Sequence, residues 1–415
     1  MFANGRPHLV YIVGAFPLLT TTFIDREIRI LRQWGVDLQI LAIRHPPADM
    51  ALSPNQKTLQ RGAIYLFPLR WFQVVLSHLY FGLRHPRRFA QTLAYLLTRR
   101  HPSMKARGMT LLHFAEGVYA AYLLRGYAFH ELHAHFADRA ATIALVASRL
   151  LDKSYSLSIH AGPDIYVNPV LLREKVLHAR HVVTCTRYNK EHVARLIGQD
   201  LAGRISDIHH GLDPNAYRPM PSANGEKPLV LAVGQLDERK GFGHLVRACR
   251  ALKDRGFDFV CHIVGDGRQR ADLEMLIGQL GLADTVMLCG AMRHERVIEE
   301  YRHATMFVLP CVKSSLGNVD GIPNVLIEAM AMQVPVISTD LSGIPELIQD
   351  QATGLLVPPG DEDALVWAMA RLFREPALRE RLGQNGRQFV VEHFNIDENV
   401  RRLAVTLWSE WFNPG

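Results

Sequence analysis

Acid is missing from one stretch of this 415-residue chain: between Met50 and Ala115 there is no Asp or Glu, yet ten Lys and Arg fall there. The whole chain carries a formal charge of +7, so that stretch holds more than the entire excess. No Cys-x-x-Cys pair occurs among the five cysteines (185, 249, 261, 289 and 311). That excludes a disulfide scaffold and a thiolate zinc ribbon, and fits a reducing cytosol. No apolar run approaches the roughly 18 residues that a membrane span needs, so a soluble or peripheral protein is expected. The 30 Gly and 22 Pro follow no fixed period, which excludes a collagen-like repeat.

What is present is the balance of a folded chain, with 48% hydrophobic and 21% charged residues. Its length suits two domains of roughly 200 residues each. Arg6 before an apolar stretch imitates a signal peptide, but Gly14 and Pro17 break that stretch and Asp25, Arg26 and Glu27 follow it. It reads as a first strand and a glycine turn.

Residues 50–115 interleave their cations with Trp71, Phe72, Leu76, Leu79, Tyr80 and Phe81. Apolar and cationic residues at helical spacing suit a surface lying on anionic lipid headgroups. A pair of ordinary helices with a solvated basic face is the plainer alternative. Nucleic-acid binding is a third, but no known nucleic-acid module is visible. The total absence of acid favours the lipid surface and no nucleic acid.

Short apolar runs alternate with amphipathic helical patterns along the chain, the signature of an α/β protein with parallel sheets. Leu9–Val13, Val36–Ala42, Leu132–His135, Tyr155–Ile159, His181–Cys185 and Ile205–His209 read as strands of a first domain, residues 1–212. Residues 213–228, rich in Pro, Asn and Gly, read as a linker. Leu229–Val233, Phe259–Val264, Val286–Cys289, Met306–Leu309 and Val334–Ser338 then read as strands of a second domain, residues 229–393. Residues 394–415 hold a last amphipathic helix, expected to pack back on the first domain. Two doubly wound domains facing each other would place a cleft at the carboxyl ends of both sheets, where ligands of open α/β sheets bind.

The most informative motif runs from Asp320-Gly-Ile-Pro-Asn-Val-Leu-Ile to Glu328. A Gly-x-Pro loop enters a helix, with Pro323 in its first turn. The backbone N–H groups near Asn324 and Val325 would then present the positive end of the helix dipole to a phosphate, without needing a metal. Asp320 and Glu328, eight residues apart, flank that anion site and suit the hydroxyls of a sugar nucleotide. Taken alone, both equally well cap or solvate a helix start. Gly234-Gln235-Leu-Asp-Glu-Arg239-Lys240-Gly241 closes one strand with a cationic glycine loop, and Gly265-Asp-Gly267 closes the next. Gly265-Asp-Gly267 lacks the third glycine of a dinucleotide fingerprint, which disfavours an oxidoreductase. His133-x-His135 lacks the Asp-His that a metal hydrolase would place next, and Asp361-Glu-Asp363 starts a helix, so capping explains it.

Together with Ser342-Gly-Ile-Pro-Glu346, Gly354 to Gly360, Phe16-Pro17, His133-Ala-His135-Phe-Ala137, Ser158-Ile-His160 and His210-Gly-Leu-Asp213, these residues resemble glycosyltransferase family 4. That family is of the retaining GT-B type, two Rossmann-like doubly wound domains across a cleft, and the resemblance is nearest to bacterial exopolysaccharide transferases of the colanic-acid kind. It covers nearly the whole chain. It implies that Glu328 holds the nucleotide ribose, that Asp320 contacts the transferred sugar, and that Lys240 neutralises the donor diphosphate. The family's partner arginine is Gln235 here, which leaves Arg239 to assist. His160 matches the histidine that meets the sugar near its reacting carbon. Gly14, Gly265, Gly267, Met292, Asn324 and Val325 complete the implied donor site, with no metal and no cofactor.

The expected function is therefore metal-independent, retaining transfer of a hexose from a nucleotide sugar, UDP-linked, to a lipid-linked saccharide in exopolysaccharide or related glycan biosynthesis. The expected location is the cytoplasm, peripheral at the inner face of the plasma membrane. A non-hydrolysing GT-B epimerase and a non-catalytic sugar-nucleotide-binding protein are the alternatives. An epimerase acts without an acceptor, and a binder releases no UDP.

Overall fold

The short apolar runs do become strands, and nearly every one feeds a helix that returns the chain to start a further parallel strand. A computed structural model describes residues 5–18, 21–48, 50, 52–219 and 227–412. Within the expected linker, residues 220–226 lie outside the described residues. The chain divides into two units, residues 1–210 with 396–415, and residues 211–395.

The first unit is built on seven strands: β1 (His8–Ala15), β2 (Asp37–Arg44), β3 (Ala63–Tyr65), β4 (Glu131–His135), β5 (Ser154–Ile159), β6 (Val182–Thr184) and β7 (Ile205–Asp207). They lie in the order β3-β2-β1-β4-β5-β6-β7, every pair parallel. A parallel sheet has helices on both faces, so its central strands are buried throughout. All five residues of β4 are buried, although three of them are Glu131, His133 and His135. The glycine turn expected at Gly14 is instead strand, because β1 runs on through Gly14 to Ala15. The last helix, Ile396–Trp408, belongs to this unit: Trp408 is fully buried and its Nε1 donates to Glu131 at 3.2 Å.

The second unit has six strands: β8 (Leu229–Val233), β9 (Val260–Val264), β10 (Val286–Gly290), β11 (Met306–Leu309), β12 (Val336–Thr339) and β13 (Leu355–Val357). Their order is β10-β9-β8-β11-β12-β13, again all parallel. The order reverses direction at β8, flanked by β9 and β11. The loops after those strands therefore gather at the switch point of the sheet, where ligands of such sheets bind.

Candidate active site

In the second unit the loop after β8 is pinned by glycine. Gly265 has a φ of +145°, and a Cβ there would come within 1.8 Å of the Gly234 carbonyl oxygen. Only glycine lets the ends of β8 and β9 approach so closely. Gly241 has a φ of +68°, and its Cβ would strike the Pro310 carbonyl beyond β11. The strands thus hold three loops against one another, and the charged side chains between them have little freedom.

Those side chains converge. Asp320 Oδ1 accepts from Arg239 Nη1 at 2.8 Å, and Asp320 Oδ2 lies 2.8 Å from Lys240 Nζ. Arg239 also donates to Asp237 at 2.5 Å. Burial works against the charge on Asp320, but Lys240 and Arg239 overcome it and hold the carboxyl below its usual range. Burial likewise opposes the charge on Lys240, and Asp320 more than restores it. Gln235 is exposed and makes no side-chain hydrogen bond among the described residues, so the cationic pair is Lys240 with Arg239. Four residues past Asp320, the helix Asn324–Ala331 begins, with Pro323 at its N-cap rather than in its first turn. Asn324 and Val325 open that helix half-buried, and Met292 is half-buried in the loop after β10. Gly267 packs its backbone against Leu236.

Glu328 sits one turn further along the helix and is buried. Tyr217 donates to its Oε1 at 3.0 Å, and the Tyr301 hydroxyl stands 3.4 Å from its Oε2. Sequence reading missed both tyrosines. They lie 111 and 27 residues away in sequence, and nothing local marks them. Burial pushes the Tyr301 hydroxyl well above its ordinary range, with the Glu328 charge adding to it, so it stays a donor.

In the first unit His160 follows β5 and is buried, with both ring nitrogens engaged: Nε2 with His135 Nδ1 and Nδ1 with His210 Nε2, each at 3.1 Å. Phe23 packs on both His160 and His210. Burial holds His160 and His135 well below the usual imidazole range and brings His210 down to about 3. Glu27, buried under Tyr11, is pushed up to about 7 by desolvation although the Tyr11 hydrogen bond resists. Two sets of ligand-type atoms lie within 4.8 Å of one another, His160–Cys185–His210 and Glu27–His133–His135. Several of these nitrogens already have partners: His133 contacts Ser156 and Ser158, and His160 contacts His135 and His210. Neither set is assigned a metal. His135, His210 and Glu27 were not singled out as site residues from sequence, although His210 sits in the His-Gly-x-Asp motif.

The fold is that of two doubly wound units, the second with a charged cluster at the switch point of its sheet. Residues 215–389 match the model of the family described as glycosyl transferases group 1. Similar relatives are an amylovoran biosynthesis glycosyltransferase from Erwinia amylovora (35% identity over 50% of this chain and 51% of that one) and an alpha-D-kanosaminyltransferase from Streptomyces kanamyceticus (35%, 66% and 76%). A third is a colanic acid biosynthesis glycosyltransferase from Escherichia coli (28%, 86% and 88%). The chain spans about half the length of the first of these and most of the other two. Among solved structures, Anabaena HepE in complex with UDP and glucose aligns over 98% of this chain and 100% of that one, with a TM-score of 0.72 at 14% identity. The chain belongs to the group 1 glycosyl transferases and has the GT-B fold, so it is a glycosyltransferase.

Proposed function

We propose that the enzyme transfers a hexose from a UDP-sugar to a lipid-linked saccharide of an exopolysaccharide or related glycan, with retention and without a metal. The observation that carries this reading is the convergence of Lys240 and Arg239 on Asp320, just ahead of the helix Asn324–Ala331. Departure of the nucleotide diphosphate leaves oxocarbenium character on the sugar. The helix terminus and Lys240 are placed to stabilise the charge developing on the phosphate, which is catalysis by preorganised electrostatics. Glu328, held by two tyrosine hydroxyls, accepts from the ribose. The leaving phosphate takes the acceptor's proton on the same face, so configuration is kept. In the first unit, His160 is the residue to which the resemblance assigns contact with the sugar.

The lipid acceptor draws support from the first unit. Helix Trp71–Arg84 buries Ser77 and Phe81 on one side and exposes Trp71, Phe72, Val75, Leu76, Leu79 and Leu83 on the other. Trp71 is 72% exposed and Leu83 82%. A continuous apolar face left in water marks an interaction surface. Here it lies in the segment without a single acid, which points to anionic lipid.

A donor panel of UDP- and GDP-hexoses, monitored for nucleotide release with and without membrane extract, tests the reading. Release from a UDP-hexose that depends on extract supports it. Conversion of the donor alone identifies an epimerase, and binding without release identifies a binder.

A further inference from the structure

Three imidazoles of the first unit stand in a row. The rings of His135 and His160 are 10° from parallel with centroids 5.4 Å apart, which is their 3.1 Å N···N contact lengthened by about one ring radius at each end. Such rings meet edge to edge in one plane and do not stack face on face. The His160–His210 pair is slightly more bent, at 26° and 5.0 Å, across the same N···N distance. A neutral imidazole has one N–H and one lone pair, so each link needs a donor on one side and an acceptor on the other. Fixing one end of the row therefore fixes every ring.

Glu27 fixes the inner end. Its Oε1 lies 3.6 Å from His135 Nε2, a buried nitrogen with no hydrogen bond among the described residues. That distance is too long for a hydrogen bond, but in a dry interior the sign of the charge still decides what faces it. A lone pair against a carboxylate is repelled, and an N–H is attracted. Tyr11 cannot serve His135, because its hydroxyl donates to the same Oε1 at 2.6 Å. With Glu27 ionised, His135 thus carries its hydrogen on Nε2 and accepts at Nδ1. His160 then donates from Nε2 and accepts at Nδ1, and His210 donates from Nε2. The row ends at His210 Nδ1, on a half-buried ring stacked with Phe23 at 4.1 Å.

We propose that Glu27, His135 and His160 are positioning residues that lock His210 in its Nε2–H tautomer, so that its Nδ1 lone pair accepts a hydrogen bond from a hydroxyl of the sugar substrate. This deepens the glycosyl-transfer reading and rests on it only for the origin of the hydroxyl. The row itself is a property of the first unit.

Long-range proton–nitrogen NMR of the ¹⁵N-histidine-labelled full chain, without donor, reads the tautomers directly. The spectra are taken at pH 8, above the value near 7 to which burial lifts Glu27. In wild type, His135, His160 and His210 are expected as Nε2–H. In Glu27→Gln, whose neutral amide can offer either a donor or an acceptor, His160 is expected to populate Nδ1–H. A wild-type His160 protonated on Nδ1, or unchanged tautomers in the variant, overturns the lock. In turnover, also at pH 8, Glu27→Gln should lower kcat/KM about tenfold, the worth of one polar contact, with UDP affinity unchanged. Equal losses of turnover and UDP affinity overturn the role. If wild type transfers no sugar at all, the transferase reading fails while the tautomers still decide the lock.

Discussion

Glu328 is kept ready by its neighbours. A buried carboxylate is costly unless hydrogen-bonded, and Tyr217 donates to one of its oxygens while the Tyr301 hydroxyl, shared with the Val325 carbonyl at 3.2 Å, faces the other. If it accepts from the ribose, Glu328→Gln removes the charge from those contacts. A hydrogen bond to a charged group is worth about 1.5–3 kcal/mol, so UDP affinity should fall roughly ten- to a hundredfold with the fold intact. Calorimetry showing unchanged UDP affinity removes Glu328 from the ribose site. Glu27 makes a different prediction, about pH. Burial raises its carboxyl to about 7, so between the ordinary glutamate value and 7 the folded chain holds a proton that the unfolded chain has lost. Stability therefore falls as pH rises through that window, by about 3 kcal/mol in all. Glu27→Gln does not titrate, so its unfolding midpoint should gain on wild type from about pH 4.5 to pH 7. Parallel midpoint curves for the two proteins would show that Glu27 is not protonated in the fold.

The loops after β8 and β11 share one ion cluster, and its balance is a property of both. Asp320 and Asp237 together already neutralise Lys240 and Arg239, so an incoming diphosphate must compete with Asp320. Asp320→Asn should lower the melting temperature, since unpairing a buried ion pair costs about 3 kcal/mol, and should also tighten UDP binding. Weaker or equal UDP affinity in that variant means the carboxylate and the diphosphate do not share the cations. Lys240→Ala should be severely damaging to donor binding, and Gln235→Arg should soften that loss. Additive effects in the double-mutant cycle would separate the two positions. These loops were legible in sequence because glycine and charge cluster locally, as in Gly234 to Gly241. The strands with long apolar runs were legible too, β8 and β11 to the residue. The three-residue strands β3 and β13 were not, whereas the equally short β6 and β7 lie inside the longer runs His181–Cys185 and Ile205–His209. The tyrosines of Glu328 and the row from Glu27 to His210 were hidden for another reason. Each joins residues far apart in sequence that only the folded chain brings together, as when β4 and β5 set His135 beside His160. Helix 71–84 is apolar on most of its circumference, and periodicity alone cannot say which side is left in water.

Across the first unit as a whole, exposure and charge coincide, and that coincidence decides what the apolar face meets. No helix of the described residues is long and apolar enough to cross a membrane. Met104, 77% exposed, and the exposed Leu111 and Leu112 lie on helix Met104–Leu124, which follows an intervening helix, Pro86–Thr98. In the same segment of sequence Arg70, Arg84, Arg87, Arg100 and Lys105 are exposed, and no acid intervenes. Arg88 is different, because it pairs with Asp152 at 2.7 Å. An acidic protein partner would use the cations but leaves the aromatic row unexplained, whereas a bilayer interface takes both. Each basic residue near an anionic surface is worth about 1 kcal/mol, so a few in contact give useful affinity. Co-sedimentation with liposomes should therefore require anionic lipid and weaken with salt, which screens over about 8 Å at physiological strength. Replacing Arg84, Arg87 and Arg100 by Gln should release the protein and leave UDP binding, assigned to the other unit, unchanged. Replacing Trp71 and Phe72 by Ser should weaken sedimentation even in low salt, where the charges are least screened. If both replaced proteins sediment as wild type does, or wild type ignores lipid charge, the face belongs to another partner and the lipid-linked acceptor loses its structural support.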